Sequence, residues 1–184
     1  MKKGMLVLIA LLLLCSVAFA EETEKKITLW EHTIIEKDES GEVYTQPVKV
    51  TLTYKEPLTL REIENDLMDG YFGEMFREGV APVTVAISPA EFGAHANLND
   101  ATDEELQVYL DALAQQYEEG AHSEITKTES GNVYLAVGDG MTRSVWSVYE
   151  DTIIEIVQHH EDFSELTGED QAFAVEILQG IWME

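Results

Sequence analysis

Residues 123–160 constrain the fold more than any other stretch of the chain. Ser130-Gly131, Asp139-Gly140 and Glu150-Asp151 cut it into four short segments rich in β-branched and aromatic residues. Segments of this length suit strands, and links this short join antiparallel neighbours. The pattern therefore predicts a four-stranded antiparallel meander. Asp-Gly is expected to form a two-residue hairpin turn with both positions at positive φ. Both faces of the later strands carry apolar residues. Val145, Tyr149, Ile153 and Val157 are assigned to one face, and Trp146, Val148, Ile154 and Ile156 to the other. A sheet that is apolar on both faces must be covered on both.

Two helices are available as covers. Thr102-Asp103-Glu104-Glu105 has the capping-box form, and its acids suit the positive end of a helix dipole. Leu106, Leu110, Leu113 and Tyr117 then make one apolar stripe, with Gly120 as the stop. This predicts a helix over 102–119. A terminal helix is expected over 168–182, with Phe173, Ile177 and Ile181 along one side.

Upstream, Ile27 to Ile35 reads as a strand. Val48, Val50, Leu52 and Tyr54 alternate with Lys49, Thr51 and Thr53, so one face is buried and one is wet. With the turn at Glu39-Ser40-Gly41-Glu42 these make an N-terminal hairpin. Thr59-Leu60-Arg61-Glu62 has a second capping-box form, and Leu60, Ile63 and Leu67 follow at helical spacing. A short helix ending by Gly70 is expected there. Val83, Val85 and Ile87 mark another strand, and a long loop leads from Pro89 to the 102–119 helix. The expected fold is α+β: an antiparallel sheet, made of the hairpin and the meander, covered by two or three helices. It forms a single domain over 27–184, after a polar lead-in at 21–26.

The order from residue 102 onward is helix, meander, terminal helix. It runs through Leu106, Tyr109-Leu110 and Leu113, then Asn132-Val-Tyr-Leu-Ala-Val137, Arg143-Ser-Val-Trp-Ser-Val-Tyr149, Ile153-Ile-Glu-Ile-Val157 and Ala174-Val-Glu-Ile-Leu178. This resembles the Mog1/PsbP-like fold group, including its exported DcrB-like and LpqN-like proteins. The resemblance covers about the last 85 residues and rests on element order and hydrophobic pattern. It implies a small exported domain used for binding or assembly more often than for catalysis. It carries no functional residue across.

The N-terminus suggests where the protein works. Lys2 and Lys3 precede an apolar run from Met5 to Val17, then Ala18-Phe19-Ala20, then Glu21-Glu22. That is the pattern of a secretory signal cleaved after Ala20. The run is short of the roughly 20 residues that span a bilayer. Cys15 follows Leu14 rather than a small residue, which disfavours lipid attachment. Cleavage would leave a secreted or periplasmic chain without cysteine, and so without a disulfide, a thiol nucleophile or a thiolate metal site.

Charge narrows the partners. The whole chain carries −25, and losing Lys2 and Lys3 takes it to −27. From Glu78 onward only Lys127 and Arg143 are basic, against 22 acids. Such a surface repels phosphate backbones and anionic headgroups, so neither nucleic acid nor, after signal cleavage, a membrane is expected as a partner. A protein partner or divalent cations fit better.

No motif for nucleophilic, nucleotide-dependent or zinc-dependent chemistry is present, and no cofactor is expected. Three groups of residues remain as candidates. His159-His160-Glu161-Asp162 ends the last strand and offers imidazole and carboxylate donors to a divalent cation. Adjacent strand residues face opposite ways, so a metal would have to sit where the strand breaks. His95, in a loop with Asn97, Asn99 and Asp100, could do acid–base work. Tyr71, Phe72, Met75 and Phe76 form either a recognition surface or an irregular core segment, and core is favoured. These residues predict an exported, non-enzymatic binding or accessory protein of the envelope or exterior. The alternative is a metal-dependent or acid–base hydrolase using His95 or the His159–Asp162 cluster.

Overall fold

The computed structural model describes residues 24–37, 41–64, 69–90, 97–117, 121–127, 132–149 and 152–183. The expected signal, the 38–40 turn and His95 lie outside the described residues.

The fold is α+β and antiparallel throughout. Strands β1 (Glu24–Lys37) and β2 (Val43–Lys55) form the expected hairpin. β1 starts at Glu24, so half of the expected lead-in is already paired strand. Val48, Val50 and Leu52 are buried, as their alternation predicts. A bulge between Thr28 and Trp30 keeps Ile27 opposite Leu52 and Trp30 opposite Val50. Both β1 residues therefore stay on the core side, which a regular strand could not arrange at a spacing of three.

Among the described residues the expected helix at Thr59 is not formed. Thr59–Glu62 is strand β3, paired with β4 (Tyr71–Phe76). Tertiary partners outweigh the local capping pattern: Arg61 pairs with Glu74 and lies 5.2 Å from the centre of the Phe76 ring. Cross-strand contacts of this kind decide strand formation more than intrinsic propensity does. Residues 65–68, including Leu67, lie outside the described residues. The Tyr71–Phe76 segment is a regular strand rather than an irregular one. Tyr71 and Met75 are buried, while Phe72 and Phe76 are half-buried on the other face.

β5 (Val83–Pro89) pairs with β4 and, across the middle of the sheet, with β9 (Thr152–His159). The predicted meander is present as β6 (His122–Lys127), β7 (Val133–Gly138), β8 (Thr142–Tyr149) and β9. The full sheet has seven strands in the order β3-β4-β5-β9-β8-β7-β6. The chain leaves the middle of this sheet at β5 and re-enters at its far edge, β6. The crossing is made by a 3-10 turn (Leu98–Asp100) and helix α1 (Asp103–Ala114). Leu106 and Leu110 of α1 bury Val133, Leu135, Val137 and Val148 in one apolar layer. The capping box at Thr102 and Glu105 is formed, but α1 stops at Ala114, before the expected end.

Helix α2 (Gly168–Gly180) covers the opposite face together with the hairpin sheet. Phe173, Ala174, Ile177 and Leu178 meet Val50, Leu52, Val85, Ile87, Val145, Ile154 and Ile156. The chain then turns into β10 (Ile181–Met183), which adds to β2, so the helix ends earlier than 182. Gly180 permits this close approach, since a Cβ there would lie 2.2 Å from the Thr53 carbonyl oxygen.

Register also corrects the assignment of faces. Val145 lies opposite Ile156, and Val148 opposite Ile153. Val145, Ile154 and Ile156 therefore face α2, while Trp146, Val148 and Ile153 face α1. The β7–β8 turn differs from expectation too. Gly140 is at φ 92°, whereas Asp139 keeps an ordinary negative φ. Asp139 N–H donates to the Thr142 carbonyl at 3.1 Å, so Gly140 and Met141 are the turn residues. The Asp139 carboxylate accepts from the N–H groups of Met141 at 2.9 Å and Thr142 at 2.8 Å. Those two bonds hold its pKa below the usual carboxylate range.

Candidate functional site

α2 is narrower than the sheet it covers. It packs against β9 and the hairpin sheet, and beside it Glu124 and Thr126 of β6 and the Arg143 end of β8 border open space. An open groove of about 440 Å³ results. Its sheet wall is Glu124 and Thr126 of β6, Tyr134 of β7 and Arg143 of β8. Its helix wall includes Gln171, Ala172, Val175, Glu176 and Gln179. A smaller cleft of about 150 Å³ continues it past Arg143 and Gln171 towards Thr142 and Leu166.

The charges along this groove are committed to one another. Arg143 Nη2 donates to Glu124 Oε1 at 2.7 Å. Glu176 accepts both Arg77 Nη groups at 2.7 Å, a two-pronged pair of the stronger kind. Arg77 also lies 4.7 Å from the centre of the Phe173 ring. These bonds hold the Glu176 carboxyl below its ordinary value. Gln171, Gln179 and Thr126 make no side-chain hydrogen bond to any described residue. Tyr134 is 5 % exposed, and its hydroxyl has no partner among the described residues either.

The residues singled out in the sequence lie elsewhere. His159 stacks on Phe163, with ring centres 5.1 Å apart, and its Nδ1 lies 3.0 Å from the His160 carbonyl oxygen. His160 instead sets Nε2 3.2 Å from Asp170 Oδ2. Asp162 accepts from Ser164 N–H at 3.0 Å, and Glu161 is exposed. Among the described residues, no three His, Cys, Asp or Glu side chains converge as a metal site. Asn97 caps the 3-10 turn, accepting from Asn99 N–H at 2.9 Å. Asn99 accepts from Val133 N–H at 2.7 Å, which fastens the long loop to β7.

Sequence reasoning missed Asp170 altogether. It is 1 % exposed and caps α2 in a box with Thr167, accepting from the Thr167 N–H and hydroxyl at 2.7 Å each. Its other oxygen accepts from Ala81 N–H at 2.5 Å. Burial pushes the carboxyl up, but the bonds from Ala81 and Thr167, with His160 beside it, outweigh burial and hold it below the usual range. Gln158, fully buried on β9, donates to the carbonyls of Asp170 at 2.8 Å and Ala81 at 3.2 Å. These residues knot β5, β9 and α2 together. They fix the helix that forms one groove wall and are not themselves in the groove. The capping form Thr167-x-x-Asp170 was a readable signal for this role.

No protein-family model matches the chain, and comparison with curated proteins and with solved structures likewise gives no match.

Proposed function

We propose that this chain is an exported binding or accessory protein that holds its ligand in the groove between α2 and strands β6–β8. One observation carries the reading. The groove wall presents neutral polar side chains with no partner, while every charged residue along it is already paired. Polar side chains without a protein partner can exchange their bonds to water for bonds to a ligand with no internal bond of the fold broken. The Mog1/PsbP-like resemblance, with its exported binding and assembly proteins, agrees with this use.

Photo-crosslinking tests it. A benzophenone amino acid replaces Gln171 on the groove wall or, as a control, Val108 on the exposed side of α1. Irradiation in the native exported fraction should give a discrete adduct from position 171 and none from 108. No adduct from 171, or the same adducts from both positions, overturns the reading.

A further inference from the structure

We infer that the ligand of this groove is an uncharged saccharide chain; the inference rests on the binding reading above. It begins from an electrical contrast. The protein as a whole carries −25, yet the groove lining is balanced. Glu124 is neutralised by Arg143, and Glu176 by Arg77. An anionic polymer would be repelled by the surrounding surface. A cationic ligand would find no free carboxylate in the lining and would be drawn to the acids elsewhere. A neutral ligand is the one class for which this lining is the preferred place.

The hydrogen-bonding groups narrow it further. Gln171 and Gln179 offer planar amides, and Thr126 and Tyr134 offer hydroxyls, all without described partners. Amides and hydroxyls both donate and accept. They match a ligand whose own groups do both, as sugar hydroxyls do. An extended peptide would instead pair its backbone along the outer edge of β6, whereas the amides and hydroxyls gathered here are side chains on the α2-facing side of the sheet. Gln171 and Gln179 are eight residues apart on one helix, about 12 Å at 1.5 Å per residue. That reach suits an oligomer rather than a single small molecule.

The far end supplies an aromatic platform. Gln179 also lines the neighbouring cleft bordered by Trp182, which is 47 % exposed. An exposed indole is apolar on its face, with one polar N–H at its rim. It can cover the C–H face of a sugar ring while the amides take its hydroxyls.

Affinity electrophoresis of the full chain through gels containing a neutral glucan, mannan, xylan or galactan reads this directly. At least one polymer should retard the chain. Trp182→Ala should weaken the retardation, and the Gln171→Ala/Gln179→Ala double variant should weaken it by roughly tenfold or more, as loss of two bonds requires. Val108→Ala should leave it unchanged. All these side chains are exposed, and equal melting temperatures would show that the variants fold. Retardation by none of the four polymers, or retardation indifferent to the Gln substitutions, overturns the inference. A protein adduct from position 171 alongside no retardation would overturn the saccharide and leave the groove reading standing.

Discussion

Asp170→Ala should be among the most damaging single substitutions outside the apolar core. The carboxylate accepts three close bonds, from Ala81 N–H at 2.5 Å and from the Thr167 N–H and hydroxyl at 2.7 Å. Truncation leaves the Ala81 N–H without that acceptor, at about 1–3 kcal/mol. It also removes half of the α2 capping box, about 1 kcal/mol more. The expected loss is about 2–4 kcal/mol, read by urea unfolding with an unchanged m-value. The wild-type pH dependence gives a second test. Asp170 has a depressed folded pKa, so its stabilisation is complete above the unfolded value of about 3.9 and is lost as pH falls through the lower folded value. The stability gap between wild type and Asp170→Asn should therefore be constant near neutrality and shrink below about pH 4. A loss under about 1 kcal/mol for Asp170→Ala, or a gap that widens on acidification, would refute the reasoning.

Gly180→Ala should destabilise by about 1–3 kcal/mol in calorimetry, because the added carbon meets the Thr53 carbonyl oxygen at 2.2 Å. Arg77→Lys keeps the charge but loses the forked pair with Glu176 and the stack on Phe173. It should let the Glu176 carboxyl rise towards its ordinary value in an NMR titration. Thr102→Ala should cost about 1 kcal/mol by removing the α1 cap. In hydrogen exchange, amides of β5, β9 and β8 should be the slowest, and those of the edge strands β3 and β6 faster.

The meander was legible because its strands are short, their turns are marked and both of their faces are apolar. Val133, Leu135 and Val137 face α1 while Tyr134 and Ala136 face α2, which is what two covers demand. α1 was legible from its cap and stripe. β3 was not, because Thr59-Leu60-Arg61-Glu62 satisfies a capping pattern as well as it satisfies a strand. What decides between them is Glu74 and Phe76, more than ten residues away. β10 was hidden because Ile181 continues the stripe of α2, and only the close contact with β2 ends the helix. Faces were misgrouped because the pattern within each strand does not fix its register on the next, and the β8–β9 pairing sets Val145 opposite Ile156 and Val148 opposite Ile153. The groove was illegible for a similar reason. Glu124, Arg143 and Gln171 each look like ordinary surface residues until the sheet and α2 bring them together.

Filling the groove is the most direct test of the central claim. Ala172 is exposed on the helix wall, so Ala172→Trp should add bulk to the groove without disturbing the core. With a photo-crosslinker at Gln179, this substitution should abolish the adduct while the melting temperature stays within a degree or two of its parent. An adduct of undiminished yield from the filled protein would contradict the claim that the ligand lies between α2 and the β6–β8 face.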